Sequence, residues 1–576
     1  MNLFDMNITK EDLLNFRKLN SKTPGHPEIS TEGIDCSTGP LGQGVGNAVG
    51  LALSQKHFAS IFNKQDIKIF DALTYCYVGD GCMMEGVSLE AFSLAGSLKL
   101  NNLIVIYDRN RKTIEGDIKS TFCDNIFEKF KAMNFNVIHV KNGNNENLIE
   151  KAILKAKKSK NKPSLIVVDT LIGYGSHVED SELSHGKPFS QSEVEMLKQK
   201  FNIKNEPLQF NNDVKEFVKG FIDKKQSLIE NEKLKLKNYK EKYPKDFKKL
   251  ENFFNFSFNN KAVNNLEKLN VQNNLSTREN NHIVLSAISK IIPNMIGGSA
   301  DVNTSTMVYL ENEGYINEDF KNRNVHFGVR EHAMAAISNG IALFGGMNAF
   351  CSCYLSFSDY LKPSLRMTAL MNLPVIYEFS HDNFLIGEDG PTHQPIEQLV
   401  SLRATPNIAV FRPYNLSEIL ACYKFYLLEK KPTALILSKE KVENNKTSID
   451  DCLKGGYIVF KEIEKLKAVI VTSGMETQIA INLANKLKNV RVVSIPCFEL
   501  FDSQSAKYKQ KILTDKPKIA LEFASSYSYF KYVSNGLYLC LNSFGKSGKG
   551  TEIQKDLKLD EQNLLKKIQK FLKKYE

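Results

Sequence analysis

The apolar run Leu73 to Val78 stops abruptly at Gly79-Asp80-Gly81; a helix-like stretch, Glu85 to Leu98, and a second apolar run, Leu103 to Asp108, follow before Asn110. This is the strand, helix, strand rhythm of a βαβ unit, because two parallel strands can be joined only by a crossover of a dozen or more residues. Both strands of such a unit end at the same carboxyl edge of the sheet, where α/β folds bind ligands. Asp80 and Asn110, thirty positions apart, therefore emerge side by side. They can share one ion.

Magnesium takes hard oxygen ligands in an octahedron, usually one or two from side chains and the rest from phosphate, carbonyl and water. One carboxylate and one amide oxygen suit a metal that carries a diphosphate, and Gly79 and Gly81 let the backbone approach the ligand closely. An isolated Asp-Gly pair more often marks a tight turn. Its place after an apolar strand, with Asn110 after the next, favours the metal. Thr38-Gly39-Pro40-Leu41-Gly42-Gln43-Gly44-Val45-Gly46 opens a helix, but no apolar strand leads into it, so a dinucleotide fingerprint is disfavoured. Gly39 and its neighbours can instead admit a cofactor to the backbone, with Leu41 as an apolar prop beneath it.

The same rhythm recurs, so the expected fold is α/β, with three stacked α/β domains. Two are parallel-sheet domains, and a smaller one is C-terminal. The first, residues 1–265, ends in a Lys/Glu/Asn-rich helical connector. The second, residues 266–450, has a helix around Val284 to Ile291, then strands at Met295 to Ile296, Val325 to Phe327, Pro374 to Phe379 and Ile408 to Phe411. The third, residues 451–576, has strands at Ala468 to Val471, Arg491 to Ser494 and Ile519 to Glu522. A chain of 576 residues exceeds what one core usually serves.

Within the second domain, Val325-His-Phe327 leads to Gly328-Val329-Arg330-Glu331-His332 and the helical run Ala333 to Phe344. A carboxyl group at such a turn, in a dry pocket, has a raised pKa and can donate or share a proton with a ring nitrogen. A helix-capping glutamate is the equal alternative from this segment alone. The strand Pro374 to Phe379 then enters a loop with two histidines (His381, His393), three acids (Asp382, Glu388, Asp389) and two glycines before Pro395. Loops placed by a rigid sheet carry much of enzyme chemistry, and His and Asp orient hydroxyls and move protons near neutral pH.

Composition narrows the function further. No apolar stretch reaches the roughly 18 residues of a membrane span, and Met1 to Asp5 lacks the basic start of a secretory signal. None of the ten cysteines sits in a Cys-x-x-Cys pair, so reduced thiols in a cytoplasm are expected. The net charge of +11 gathers in residues 195–250 and the last twenty positions, without the interleaved aromatics of a nucleic-acid groove. Neither a nucleic-acid nor a membrane partner is expected.

Taken together, six motifs resemble transketolase, a thiamine-diphosphate enzyme family, over nearly the whole chain. They are Thr23-Pro-Gly-His-Pro-Glu28, Thr38-Gly-Pro-Leu-Gly-Gln-Gly44, Gly79-Asp-Gly-Cys-Met-Met-Glu-Gly86, Gly297-Gly-Ser-Ala-Asp301, Gly328-Val-Arg-Glu-His332 and Gly387-Glu-Asp-Gly-Pro-Thr-His-Gln-Pro395. The resemblance implies reversible transfer of a two-carbon glycolaldehyde unit in the pentose phosphate pathway. The donor is a ketose phosphate (xylulose 5-phosphate, sedoheptulose 7-phosphate), the acceptor an aldose phosphate (ribose 5-phosphate, glyceraldehyde 3-phosphate). It implies a homodimer with active sites at the interface, and thiamine diphosphate held through Mg2+ or Ca2+ by Asp80, Asn110 and the Lys112 carbonyl. Gly39, Leu41, Gly81 and His185 would line the cofactor; Asp301, Glu331, Tyr354, Phe357 and Tyr360 would surround its pyrimidine, with Glu331 as the activating acid. His26, His185, His381, Asp389 and His393 would orient the sugar and shuttle protons, and Arg278, Ser305, His381 and Lys439 would form the phosphate pocket.

Some positions depart from the family. Roughly the first tenth of a usual member, with two active-site histidines, has no counterpart ahead of Thr23. The chain also has no tryptophan, which that segment normally contains. The expectation that follows is a reading frame called with UGA as stop in an organism that reads it as tryptophan. A non-catalytic relative that dimerises or binds metabolites, and a dihydroxyacetone synthase, are the alternative readings. Lys439 stands where the family has arginine, replacing a bidentate fork with a point charge. Arg109 takes a place that is usually acidic or amide.

Overall fold

In the computed structural model the described residues are 2–4, 6–255, 266, 269 and 273–575. They divide into two compact units, Met1–Phe254 with Leu343–Gly345, and Asn255–Ala342 with Gly346–Glu576. The boundary expected after residue 265 falls on residues outside the described set.

The first unit is built on four parallel strands: β1 (Thr74–Val78), β2 (Leu103–Arg109), β3 (Asn136–Val140) and β4 (Ser164–Asp169), in the order β1-β2-β4-β3. Its core forms because Ile104, Ile138, Val140, Ile166 and Val168 project from neighbouring strands onto Ala152 and Ala156 of a covering helix. The first crossover is as the sequence predicts. Helix α2 (Gly86–Ser97) lies between β1 and β2, and the parallel register pairs Val78 with Tyr107. A long helix before it, α1 (Gln43–Phe62), starts from Gly42. The expected Lys-rich connector is a 31-residue helix, Asn212–Lys242, followed by Pro244–Asn255.

Two five-stranded sheets make up the second unit. The first runs β5 (Met295–Ser299), β6 (Asn348–Tyr354), β7 (Val375–Ser380), β8 (Ala409–Phe411) and β9 (Thr433–Leu437), all parallel, in the order β8-β9-β7-β6-β5. These strands are buried along nearly their whole length, as in parallel sheets covered on both faces. The second comprises β10 (Tyr457–Phe460), β11 (Ala468–Thr472), β12 (Val490–Ser494), β13 (Lys518–Glu522) and β14 (Leu537–Cys540), ordered β10-β12-β11-β13-β14, with β10 the antiparallel edge.

One expected strand is absent. Val325 to Phe327 bonds to β5 through Val325 N–H to Gly297 O (2.7 Å), but only Asn324 forms a bridge and the segment is not a strand. The backbones run close together here, so that a side chain at Gly298 would meet the Val325 carbonyl oxygen at 2.0 Å, yet the pairing stops after the one bridge. His326 meanwhile stacks on Tyr315, ring centres 3.6 Å apart. Glu331 therefore follows a loop, and opens helix α4 (Glu331–Phe344) two residues earlier than the expected Ala333. An earlier helix, α3 (Thr277–Ile291), starts with a capping box in which Ser276 Oγ accepts from Glu279 N–H (3.2 Å) and Glu279 accepts from Ser276 N–H (2.8 Å). Such caps contribute about 1 kcal/mol, and this one fixes Arg278 in the first helical turn.

Candidate active site

At the carboxyl edge of the first sheet, Asp80 begins a one-turn helix, Asp80–Met84, directly after β1. Its side chain is 3% exposed. Oδ1 accepts from the Tyr107 hydroxyl at 2.5 Å and Oδ2 from Arg111 N–H at 2.9 Å. Burial pushes the Asp80 carboxyl above its ordinary pKa, partly offset by these hydrogen bonds and one from the Asn110 backbone. Among the described residues its partners are neutral donors, not cationic side chains. A buried carboxylate in that state is costly unless a cation joins it, and each oxygen keeps lone-pair capacity for one.

Asn110 lies just beyond β2, its Oδ1 accepting from Lys112 N–H at 3.0 Å. The Lys112 ammonium is taken up by Asp117 (3.1 Å) and Asp180 (3.3 Å). Arg109, the unexpected base beside Asn110, donates from Nε to Asp169 Oδ1 at 2.6 Å, and Asp169 also meets His139 at 2.8 Å. The added positive charge is thereby neutralised at the end of β4. Asp80, Asn110 and their neighbours fit a divalent ion with a diphosphate.

Next to this edge is a cavity of about 450 Å³ lined by His26, Thr38, Gly39, Leu41, Tyr77 and Cys82, among others. The His26 ring lies against Gly39, where a side chain would meet it at 3.4 Å. Leu41 covers Gly81 so closely that a Cβ there would sit 2.8 Å from Leu41 Cδ1. His185 is not gathered into this group; it is exposed and caps a short turn, Glu182–Ser184.

The second unit brings together most of the residues expected around the pyrimidine and the sugar. Tyr354 ends β6, and its ring centre lies 4.0 Å from His381 and 5.8 Å from Phe357. Phe357 in turn meets His393 at 5.1 Å and the exposed Tyr360 at 6.1 Å. His381 follows β7 in a left-handed backbone conformation (φ 60°) and is 5% exposed. Burial, then the charges of Arg278, Lys439 and His393, lower its pKa to about 3, so it is neutral at working pH.

Glu331 is half-buried and burial raises its carboxyl. Arg278 donates from Nη1 to the Ser305 carbonyl at 2.5 Å, and its backbone N–H to Ser438 O at 3.3 Å. These bonds tie three parts of the expected phosphate pocket, whose Lys439 is exposed. Asp301 (φ 66°) and Asp389 are exposed on their loops, outside the aromatic cluster.

Sequence reasoning missed Tyr107, Asp169 and Arg412, and singled out Asp382 only as one acid of its loop; all four hold the named residues in place. Tyr107 was within reach, because parallel register places it opposite Val78, two positions before Asp80.

Two α/β sheets, one presenting a metal-competent Asp/Asn pair and the other an acid, rings and histidines, define a thiamine-diphosphate-dependent transferase. Three family models match: "Transketolase, thiamine diphosphate binding domain" over residues 1–257, "Transketolase, pyrimidine binding domain" over 273–444 and "Transketolase-like TK C-terminal domain" over 455–560. The transketolase of Aquifex aeolicus is 40% identical over 98% of this chain and 84% of its own length, and that of Bacillus subtilis 37% over 99% and 88%. Among solved structures, the Leishmania mexicana transketolase has a TM-score of 0.95 at 35% identity, covering 100% of this chain and 87% of its own. A Pichia stipitis transketolase complex with sedoheptulose 7-phosphate has the same values. The chain belongs to the transketolase family.

Proposed function

We propose that this chain moves a glycolaldehyde unit from ketose phosphates such as xylulose 5-phosphate to aldose phosphates such as ribose 5-phosphate, as a homodimer in the cytoplasm. The observation that carries the reading is the cluster of Tyr354, Phe357, His381 and His393, with the positive charges of Arg278 and Lys439 acting on His381 and helping to keep it neutral. Rings of this kind accept a flat heterocycle by stacking, and the cations suit a sugar phosphate. Relatives crystallised with xylulose 5-phosphate and sedoheptulose 7-phosphate support the same substrate class. Ten free cysteines fit a reducing compartment.

When bound, thiamine diphosphate supplies the nucleophilic carbon that carries the two-carbon unit. Asp80, Asn110 and the Lys112 carbonyl would hold Mg2+ or Ca2+ against its diphosphate. Glu331, whose carboxyl burial pushes above its ordinary pKa, would share a proton with a pyrimidine nitrogen. Phe357 would stack on that ring. His381, kept neutral, has Nδ1 engaged with the Ser380 hydroxyl at 2.8 Å and leaves Nε2 for a sugar hydroxyl, while His26, His185, His393 and Asp389 bind and shuttle protons around the sugar. Arg278, Ser305 and Lys439 receive the phosphate. In the dimer, the diphosphate residues of one chain and the pyrimidine residues of the other complete each site.

The test is a coupled assay for glyceraldehyde 3-phosphate formed from xylulose 5-phosphate and ribose 5-phosphate, with thiamine diphosphate and Mg2+. Asp80→Ala should lose cofactor-dependent thermal stabilisation, whereas Glu331→Ala should keep it and lose turnover. Stabilisation of Asp80→Ala equal to the parent's would remove the metal assignment, and full turnover by Glu331→Ala would remove the proton role. Faster transfer to formaldehyde than to ribose 5-phosphate would reassign the acceptor.

A further inference from the structure

Between the pyrimidine-binding and C-terminal domains lies a buried ionic cluster that the reaction does not explain. Arg412, immediately after β8, is 0% exposed. Its Nε donates to Asp382 Oδ2 at 2.9 Å and its Nη2 to Glu476 Oε1 at 2.9 Å. Its Nη1 donates to the Ser473 carbonyl at 3.0 Å and to Glu522 Oε1 at 3.3 Å. Glu522 is also held by Arg403 at 3.0 Å and by the Ser473 hydroxyl at 2.6 Å. Ser473, Glu476 and Glu522 belong to the C-terminal domain, Asp382, Arg403 and Arg412 to the pyrimidine-binding domain. Gly474 makes the close approach feasible, since a side chain there would meet Arg412 Cζ at 2.7 Å.

The near end of the cluster points at the substrate residues. Asp382 follows His381, whose left-handed backbone is uphill for a residue with a Cβ and has to be held by its surroundings. The same Asp382 Oδ2 accepts from the Ser438 hydroxyl at 2.9 Å. Ser438 precedes Lys439, receives a hydrogen bond from Arg278 N–H, and donates its own N–H to Thr277 Oγ1 at 2.7 Å. One carboxylate oxygen thus fastens the His381 turn and the Lys439 turn to one guanidinium.

We infer that Arg412 and Asp382 are positioning residues for the sugar phosphate, and that the C-terminal domain, through Glu476 and Glu522, sets the affinity of the pocket it does not itself line. The inference rests on the reading that His381 and Lys439 contact the substrate. A bridge of this kind is rigid: the guanidinium fork fixes direction as well as distance, and Arg412, Asp382, Glu476 and Glu522 are buried from solvent.

The experiment compares Glu476→Gln and Ser438→Ala with the parent holoenzyme, using xylulose 5-phosphate and the unphosphorylated ketose erythrulose as donors. Misplacing the two turns should raise KM for xylulose 5-phosphate about tenfold, with kcat changed less than about threefold. KM for erythrulose should move much less, and stabilisation by thiamine diphosphate with Mg2+ should persist. A purely structural cluster would lower the fraction of active enzyme and leave both KM values at the parent's, which overturns the inference. Ser438→Ala, which removes only a hydroxyl, decides alone if Glu476→Gln does not fold. Lys439→Ala runs in parallel: an unchanged KM for xylulose 5-phosphate there removes the substrate reading and the inference with it. A raised KM there beside unchanged Glu476→Gln and Ser438→Ala removes the inference alone.

Discussion

The Tyr107 hydroxyl donates to Asp80 Oδ1 at 2.5 Å, linking the second strand of the βαβ unit to the carboxylate that follows the first. Both groups are buried, so no solvent replaces the bond if it is lost. Tyr107→Phe leaves Asp80 with its Arg111 and Asn110 backbone donors but frees one oxygen to swing. Partners that orient a metal ligand typically account for 10–100-fold in metal affinity. The Mg2+ concentration needed for half-maximal thermal stabilisation, at saturating thiamine diphosphate, should rise by about that factor. An unchanged midpoint would mean that Tyr107 merely fills space.

Glu378 is fully buried in β7, with Asn281 donating to Oε2 at 2.6 Å and Tyr423 to Oε1 at 3.1 Å. Burial raises its pKa from 4.5 to about 7 despite those donors, and the neighbouring Cys351 and Cys422 thiols bring no cation. A folded-state pKa above the unfolded one means the native protein binds more protons, so this stability is present below about pH 4.5, falls through the window to about 7 and is gone above it. The loss is on the order of 3 kcal/mol. Glu378→Gln removes the titration: its melting temperature should exceed the parent's at pH 8 and converge with it near pH 5. Parallel curves for the two proteins across that range would refute this.

Helix α1 begins at Gly42 with φ 82°, and a Cβ there would lie 2.5 Å from Val87 Cγ1 in α2. Gly42→Ala combines a left-handed backbone penalty of about 1 kcal/mol with overpacking worth roughly 1–3 kcal/mol. Urea denaturation should report a loss of about 2–4 kcal/mol without a change in slope. A shift below about 0.5 kcal/mol would mean that the two helices part freely.

The local half of this site was legible because it obeys periodicity. A strand that ends in Gly79-Asp80-Gly81 and one that ends before Asn110 need only the parallel rule to bring the pair together. The second site was legible as an inventory, since Tyr354, His381 and His393 are chemically conspicuous, but not as a cluster. Their spacing follows from how β6 and β7 pair, which no local pattern states. Val325 to Phe327 reads as a strand by its apolar pattern, but its pairing with β5 ends at the single Gly297–Asn324 bridge, a tertiary outcome that no local pattern states. Arg412 and Glu476 were illegible for a different reason: each is an ordinary charged residue until two domains bury them against one another. Arg109 looked anomalous only while Asp169, sixty positions away, was out of view.

Lys439 offers a single point charge at a place where a forked guanidinium would reach a phosphate with two hydrogen bonds. It is exposed, so a longer side chain meets little resistance. The turn beneath it is already fixed, since Ser438 is tied to Asp382 at 2.9 Å and to Thr277 at 2.7 Å. Lys439→Arg should therefore gain roughly one charge-assisted hydrogen bond, or about 1 kcal/mol, without moving its neighbours. That corresponds to a KM for xylulose 5-phosphate lowered about fivefold, with kcat and the KM for erythrulose unchanged. A tighter KM for both donors would place the gain outside the phosphate contact, and a weaker one for xylulose 5-phosphate alone would mean that the pocket is shaped around the ammonium.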